Sequence, residues 1–133
     1  MYEIIYISTL SDDFPVTVAA QIAVHARVKN ALHEITGFLI FDGFQFCQQL
    51  EGDQAAVQAL LDVIKSDRRH VQLKVLHAAP LFRRRFMRFA MGLATLGDDE
   101  DLLHRLGQLE GHGAVNSFLA AIPKLDKKSG LSG

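Results

Sequence analysis

The sequence contains very little cysteine and almost no net charge, and both absences narrow its chemistry. Cys47 is the single cysteine among 133 residues, which excludes an internal disulfide and a cysteine-based zinc cluster. The formal net charge is −1 and the isoelectric point is about 6.6, so no general electrostatic attraction to nucleic acid or to an anionic membrane is expected. The histidines lack the spacing of an HExxH-type motif, so no metal site is predicted.

The sequence also lacks the patterns that target or anchor proteins. No apolar run approaches ~20 residues, the length that spans a bilayer, and Met1 leads directly into Tyr2 and Glu3 without a signal-peptide pattern. Neither GxGxxG nor a P-loop occurs. Because 49% of the residues are hydrophobic, the sequence predicts one folded cytoplasmic domain with a short appendix.

Local patterns predict the element order β-α-β-β-α-β-β. The stretch TGFLIFDGFQFCQQLEG, residues 36–52, reads as a hairpin that turns at Asp42-Gly43, a dipeptide typical of tight turns. Further strands are predicted at residues 2–8, 71–78 (by regular alternation) and 86–96, and helices at residues 17–33 and 54–66, the second capped by Asp53. This order indicates an α+β, ferredoxin-like sheet with both helices on one face.

The last third of the chain is expected to cover the other face of this sheet. Leucines at helical spacing follow an acidic stretch, Gly111 to Gly113 interrupt that helix, and a second short helix runs to Pro123. We therefore divide the chain into a main domain at residues 1–96, a helical extension at residues 97–123 and a mobile tail at residues 124–133.

The basic run between the fourth and fifth strands has no obvious partner in the sequence. Arg83, Arg84 and Arg85 are predicted to form a solvated loop. Contact with a phosphate or with an acidic patch on a partner is the alternative.

Gln48 is out of place in the second strand of the hairpin. Period two puts it on one face with Phe44, Phe46 and Leu50, and an amide buried there costs on the order of 1–3 kcal/mol unless it finds partners. Tyr6, in the first strand, likewise carries a polar atom on an apolar face. The two side chains either bond to each other only to satisfy the core, which the residues alone favour, or form a redox- or light-active pair against a bound heterocycle.

Three other residues allow both a structural and a functional interpretation. Asn30, near the end of the first helix, either contacts solvent and its own backbone or pairs with an imide edge such as that of a flavin. Met91 is expected in the core of the fifth strand, on one face with Phe89 and Leu93. Cys47 is expected to point away from the Gln48 face as a buried apolar thiol.

Five linked segments carry a family resemblance over residues 1–96. In order they are IIYIS, NALHEITGFLIFDG, FQFCQQLEG, DRRH and RRFMRFAMG. Their order and spacing resemble the BLUF family, the blue-light sensors that use FAD. The resemblance implies a flavin held between the two helices, with its isoalloxazine edge facing the sheet.

The resemblance also implies roles for individual residues. Tyr6 matches the family's photo-oxidised tyrosine, and Gln48 matches the glutamine that bridges this tyrosine and flavin N5 and O4. Asn30 matches the asparagine on the imide edge. The other contacts implied are Lys29 beside Asn30, Phe46 at a ring-lining position, Asp67, Arg69 and His70 along the far edge of the ring and the ribityl chain, and Met91, the methionine that moves with the signalling state.

Two positions depart from the family pattern. Phe89 stands where the family often has tryptophan, and the chain contains no tryptophan, so neither a tryptophan flip nor a competing tryptophan donor is available. Val63 stands where some members carry a basic or imidazole side chain near the flavin tail. FAD is the cofactor that the resemblance implies, with FMN or riboflavin as alternatives.

The implied function is blue-light photoreception rather than enzyme catalysis. A reversible, light-driven proton-coupled electron transfer with Tyr6 would rearrange the hydrogen bonds of Gln48. The signal would pass through the last strand and the C-terminal helices to an unidentified protein partner or to the chain's own oligomer. The alternative is a light-silent ferredoxin-like module that binds a protein or a small ligand; a single-stranded nucleic-acid binder is disfavoured by the near-neutral charge.

Overall fold

The computed structural model describes residues 1–86, 92–95, 101–122 and 126–127. The strands are β1 (Tyr2–Leu10), β2 (Thr36–Phe41), β3 (Gln45–Gly52), β4 (His70–Pro80), β5 (Gly92–Thr95) and β6 (Asp126–Lys127), and the helices are α1 (Val18–Leu32), α2 (Gln54–Ser66), α3 (Leu102–Leu106) and α4 (Gly111–Ala121). They form one sheet in the order β4-β1-β3-β2-β5-β6. The predicted βαββαββ order and α+β ferredoxin-like fold are confirmed.

β1 and β3 are adjacent antiparallel strands in the interior of the sheet. Tyr6 lies opposite Gln48 in this pair, and Glu3 lies opposite Glu51. β3 pairs on its other side with β2, so its backbone is hydrogen-bonded along both edges. A central position fits the β-branched and aromatic residues of β1, which are buried on both faces of the sheet.

The hairpin turn between β2 and β3 forms where the Asp42-Gly43 dipeptide predicts it. Gly43 adopts a φ of 95°, which side chains with a Cβ rarely tolerate, and Asp42 Oδ1 accepts the backbone N–H groups of Phe44 and Gln45 at 2.8 and 2.6 Å. Phe44 therefore belongs to the turn and is 76% exposed. The prediction that it shares the buried face of Gln48 is wrong, because β3 begins one residue later.

The two faces of the sheet carry two separate cores. Ile4, Tyr6, Leu39, Phe46 and Leu50 pack against α1 and α2. The alternate residues of the same strands, including Ile5, Ile7, Phe38, Ile40 and Cys47, pack against α3 and α4. Both predictions are confirmed: α1 and α2 share one face, and the C-terminal helices cover the other.

The two helices on the first face differ in the side chains that they bury. α1 contacts the sheet mainly through Ala19, Ile22 and Ala23, so its backbone lies close to the strands. α2 buries Val57 and Leu61 and begins at Asp53, whose carboxylate accepts the N–H of Ala56 at 3.4 Å, as the capping prediction requires.

β4 is an edge strand with irregular pairing, and the predicted regular alternation along it is wrong. Its register against β1 shifts twice, and Gln72 adopts a positive φ of 53°. Val71 and Val75 are consequently 39% and 36% exposed, whereas Leu76 is buried. β-bulges of this kind are common on edge strands.

The C-terminal part is described in segments. β5 runs parallel to β2, with Phe38 opposite Gly92, and lies within the strand predicted at residues 86–96; Phe89 and Met91 fall outside the described residues. Gly111 begins α4 rather than only interrupting a helix. β6, in the segment predicted as a mobile tail, pairs with β5. None of the described helices combines the length and apolar character needed to cross a membrane.

A buried acidic cluster, formed by Glu3, Gln49 and Glu51, lies on the sheet face opposite Tyr6 and Gln48. Gln49 Nε2 donates to Glu3 Oε1 at 3.0 Å and to Glu51 Oε1 at 2.9 Å. Arg85 Nε donates to Glu3 Oε1 at 2.7 Å. Burial opposes ionisation of Glu3, but the hydrogen bonds from Arg85 and Gln49, with the nearby cationic charge, hold its pKa below the usual value.

This cluster corrects the prediction for the arginine run. Arg84 donates to Thr36 Oγ1 at 2.9 Å and to the Glu34 carbonyl at 2.5 Å, and Glu51 accepts the backbone N–H groups of Arg85 and Phe86, both at 2.9 Å. Arg84 and Arg85 therefore hold the segment after β4 against the sheet instead of forming a solvated loop. Arg83 is exposed and makes no such contact with the residues that the structure describes.

Candidate functional site

A cavity of about 120 Å³ opens between α1 and α2, over the sheet face that carries Tyr6 and Gln48. Its walls come from α1 (Ile22, His25, Ala26, Lys29, Asn30), from α2 (Leu60, Val63, Ile64), and from β3 and the start of β4 with the loop before it (Gln48, Asp67, Arg69, His70). The two helices contribute apolar side chains and seven of the twelve lining residues are polar or charged, a combination that suits a small molecule with both apolar and polar parts.

Tyr6 and Gln48 form a buried hydrogen-bonded pair beneath this cavity. The Tyr6 hydroxyl donates to Gln48 Oε1, as their opposite positions on β1 and β3 allow. Tyr6 has no solvent exposure and Gln48 only 3%. Burial, with smaller contributions from Cys47 and Asp67, raises the pKa of Tyr6 far above its usual value, so the phenol is fully protonated at neutral pH.

Lys29 and Asn30 are neighbours in the last turn of α1, but Asn30 is buried and Lys29 is exposed. The Asn30 side chain is buried against the cavity, while its backbone carbonyl accepts the N–H groups of His33 and Ile35 at 3.1 and 2.8 Å. This double acceptance marks the end of the helix and holds the backbone of Asn30 in place. Lys29 is exposed at the mouth of the same cavity.

Aromatic rings support the sheet side of the site. The Phe46 ring stacks on Phe41 with centroids 4.6 Å apart and contacts the His70 ring at 4.8 Å. His70 Nδ1 lies 2.8 Å from Ser8 Oγ. Burial, together with the Arg69 charge and despite the opposing charge of Asp67, lowers the pKa of His70 to about 4, so this imidazole is neutral at physiological pH.

Asp67 and Arg69 form a rigid polar rim at one end of the cavity. Arg69 Nε and Nη2 bond both carboxylate oxygens of Asp67 at 2.6–3.0 Å, a two-pronged geometry that favours the pair. The hydrogen bond from Arg69 holds the pKa of Asp67 below its usual value. The charge of Arg69 is thereby already paired within the chain.

An open depression of about 530 Å³ adjoins the cavity and shares two of its residues. Asp62, Val63, Ser66 and Asp67 line it. Two of these four side chains are acidic and none is basic, so the described residues of the depression offer no cation to a phosphate. An uncharged or hydroxyl-rich tail of a bound molecule would therefore be accommodated here more favourably than an anionic one.

The side chains that line the cavity have the chemistry to bind a flavin, but the cavity is small for one. Asn30 and Gln48 bring two amides, each with donors and an acceptor, to a site with the apolar walls that a planar ring requires. The volume of about 120 Å³ is below the ~300–1,000 Å³ of typical ligand sites. A flavin ring would therefore fit only in a wider form of this cavity, and Lys29 and Val63 are exposed side chains in its lining.

The structure assembles most of the residues that the sequence singled out. Lys29, Asn30, Gln48, Asp67, Arg69 and His70 all line the cavity. Tyr6 and Phe46 lie behind it, the first bonded to Gln48 and the second packed on His70. Met91 lies outside the described residues.

Ser8 is a site residue that the sequence interpretation missed. It follows Tyr6 by two positions, so period two alone places it on the same face of β1. Its partner His70 is 62 positions away, and no local pattern links the two. Within the described ranges, no three His, Cys, Asp or Glu side chains are grouped closely enough to hold a metal ion.

Comparison with known proteins points to one family. Residues 1–92 match the BLUF family model, described as sensors of blue-light using FAD. Over 93 residues the chain is 33% identical to the blue light- and temperature-regulated antirepressor BluF of Escherichia coli (strain K12), a match that covers 70% of this chain and 23% of that protein. The chain thus spans about a quarter of this curated relative.

Two solved structures match nearly the whole chain. The dark-state structure of BlrB, a BLUF protein, has a TM-score of 0.77 and 28% identity, and the match covers 91% of this chain and 93% of that one. The ground-state structure of BlsA has a TM-score of 0.81 at 23% identity, covering 96% and 91%, which supports the fold alone. With the family model matched over residues 1–92, this chain belongs to the BLUF family, the flavin-based sensors of blue light.

Proposed function

We propose that this chain senses blue light with a flavin held between α1 and α2, and that Tyr6 and Gln48 are its photochemical pair. The observation that carries the proposal is the buried Tyr6–Gln48 hydrogen bond at a cavity that Gln48 also lines. Membership of the BLUF family gives the pair its context. A bound flavin would supply the absorption of blue light and a transient electron acceptor.

The chemistry of Tyr6 follows from its burial. A buried phenol with a strongly raised pKa does not ionise at neutral pH, so Tyr6 would pass an electron as the neutral phenol and then release its proton. The hydrogen bond directs this proton to Gln48 Oε1. The Gln48 amide both accepts and donates and can therefore pass the proton on, ending rotated or tautomerised. When Tyr6 regains electron and proton, the cycle leaves no net redox change.

The same proposal assigns the remaining contacts. Asn30 would hold the imide edge of the ring, with Lys29 beside it, and Phe46, Asp67, Arg69, His70 and Met91 would complete the flavin site. FAD is proposed as the cofactor. FMN and riboflavin stay as alternatives, because the outer depression is lined by acidic and neutral side chains. Extraction of the bound flavin and chromatography against the three standards identifies it.

Signal output is proposed to leave through β5 and the helices behind it. This assignment keeps residues 1–96 as the flavin-binding domain, residues 97–123 as the helical extension and residues 124–133 as a tail. The E. coli relative is named an antirepressor, which supports a cytoplasmic protein partner, or the chain's own oligomer, as the receiver. Size-exclusion chromatography in the dark and under blue light tests the oligomer.

The decisive test is the visible spectrum of the purified protein before and after blue light. A flavin spectrum that shifts slightly to the red and recovers in darkness is the expected result. A bound flavin that bleaches or stays unchanged would retain the pocket and overturn the Tyr6–Gln48 mechanism. Protein that binds none of the three flavins, even in excess, would instead support the light-silent binding module.

A further inference from the structure

Ser8 and His70 form a second buried polar pair on the face that carries Tyr6 and Gln48. Ser8 is 1% exposed and His70 is 7% exposed, and Ser8 Oγ lies 2.8 Å from His70 Nδ1. Phe46 lies opposite Ser8 on β3 and contacts the His70 ring. The His70 ring also meets Tyr6 edge-on, with centroids 6.2 Å apart and planes at 75°, so its position is fixed from three sides.

The hydrogen-bond inventory of this pair determines where the imidazole proton sits. Within the described part of the chain, Ser8 Oγ and His70 Nδ1 have no other hydrogen-bond partner, neither a side chain nor a backbone group. If Nδ1–H donated to Oγ, the Ser8 hydroxyl proton would be buried without an acceptor, at a cost of about 1–3 kcal/mol. If Ser8 donates to Nδ1 instead, both groups are satisfied and the ring proton resides on Nε2.

His70 is placed so that this tautomer can donate a hydrogen bond into the cavity. His70 lines the cavity that Asn30 and Gln48 also line. Because Ser8 occupies Nδ1, Nε2 is the ring nitrogen left for a bound molecule. The low pKa of His70, a consequence chiefly of burial, keeps the ring neutral, so that it carries one proton rather than two.

We propose that Ser8 is a positioning residue that holds His70 as the Nε2–H tautomer and thereby presents a hydrogen-bond donor to an acceptor atom of the bound flavin. The proposal rests on the proposed function for the identity of the ligand. The assignment of the tautomer needs no ligand, because it follows from the Ser8–His70 hydrogen bond. Removal of the Ser8 hydroxyl would leave Nδ1 without a partner and free the ring to exchange its two nitrogens by a half-turn.

The tautomer can be measured directly in the unmodified protein. Protein labelled with ¹⁵N at histidine, compared with His70→Gln to assign the resonances, should show a protonated Nε2 and an unprotonated Nδ1 at pH 7. Addition of riboflavin, FMN or FAD should move the Nε2–H resonance downfield. A protonated Nδ1, a doubly protonated ring, or a bound flavin that leaves Nε2–H unmoved would each overturn the proposal.

Substitutions at Ser8 provide the second readout. Ser8→Ala should mix the two His70 tautomers and weaken flavin binding by roughly 2- to 10-fold, the range of one neutral hydrogen bond, whereas Ser8→Thr, which keeps a hydroxyl, should restore the single tautomer. Ser11→Ala, just beyond the end of β1 and away from the cavity, is the matched control and should change neither. A Ser8→Ala protein with the unmodified His70 spectrum would contradict the assignment.

The two proposals fail in different ways. Absence of flavin binding in the unmodified protein would overturn the proposed function, whatever tautomer is found. Flavin binding with a normal reversible red shift, but with no effect of Ser8→Ala on His70, would overturn only the role of Ser8.

Discussion

The proposed photochemistry depends most directly on the phenol group of Tyr6. Tyr6→Phe keeps the buried ring and removes the O–H that donates to Gln48, so flavin binding should persist and the light-induced red shift should disappear. Absorption spectra in the dark and under blue light measure both. Tyr2→Phe, the same substitution at the start of β1, is the control and should shift normally; a normal photocycle in Tyr6→Phe would remove Tyr6 as the donor.

Gln48 is the second residue that the photochemistry requires. Its hydrogen bonding can be removed while a side chain of similar size is kept. Gln48→Leu is nearly isosteric and has neither donor nor acceptor, so the variant should bind flavin and lose the red shift. Gln45→Leu makes the same change on β3 outside the cavity and should leave the shift intact. An unaltered shift in Gln48→Leu would show that the amide is not the relay.

His70 makes stability depend on pH in a defined direction. Its folded pKa of about 4 is below the ~6.5 of a free histidine, so the unfolded chain binds the additional proton between these values. The free energy of unfolding should therefore fall as the pH drops from about 6.5 to about 4, by up to roughly 3 kcal/mol from this group. Above pH 6.5 the contribution is constant.

Urea unfolding at several pH values tests this assignment. His70→Asn should show a shallower loss of stability across the same window. His33→Asn, at an exposed position after α1, is the control and should follow the unmodified protein. An unchanged slope in His70→Asn would mean that other groups account for the acid sensitivity.

At the scale of elements, the segment after β4 depends on Glu51. The Glu51 carboxylate accepts the N–H groups of Arg85 and Phe86 and the hydroxyl of Thr36, the last at 2.6 Å. Glu51→Gln replaces an acceptor oxygen by a donor, so it should destabilise the fold by about 1.5–3 kcal/mol and speed tryptic cleavage after Arg84 or Arg85. Unfolding curves and timed digestion measure the two effects.

An exposed glutamate provides the comparison for this prediction. Glu110→Gln removes a carboxylate that is 76% exposed and 4.0 Å from Lys74, and surface pairs of this kind contribute little. It should alter neither stability nor cleavage. Equal cleavage rates in Glu51→Gln and Glu110→Gln would show that the segment is held by other contacts.

The elements that the sequence predicts well are those whose signals are local. The Asp42-Gly43 turn and the Asp53 cap of α2 each lie within a few residues of the structure they specify. The buried acidic cluster could not be predicted in this way, because Glu3 and Arg85 are 82 positions apart. The alternation along β4 failed for a related reason: bulges against β1 override the intrinsic period of two.

At the scale of the whole molecule, damage to the core opposite the cavity should lower stability without altering the flavin site on the other face of the sheet. Phe118 in α4 is fully buried in the core opposite the cavity, so Phe118→Ala should destabilise the protein by about 3–5 kcal/mol without changing the dark flavin spectrum. Phe82→Ala, at a position that is 95% exposed, is the control for loss of an aromatic ring. A spectral change in folded Phe118→Ala would show that the cores are coupled in the dark.

The candidate site illustrates what a single sequence can and cannot supply. Tyr6 and Gln48 stand out because each places a polar group on an apolar strand face, and central strands bring such groups together. The pairing of Ser8 with His70 depends on how β4 approaches β1, which no residue pattern encodes. Arg69 lines the cavity, as predicted, but its guanidinium forms an ion pair with Asp67. This pairing depends on the conformation of the loop before β4.

The double pairing of β3 limits the kind of motion that can carry a signal. β3 is hydrogen-bonded to β1 and to β2, and its consecutive residues belong alternately to two opposite cores. A slide by one position would put Cys47 or Gln49 in place of Gln48 at the cavity and would move every neighbouring side chain to the opposite face of the sheet. A rearrangement at Gln48 therefore takes place within its side chain, by rotation or tautomerisation, while the register of the strand stays fixed.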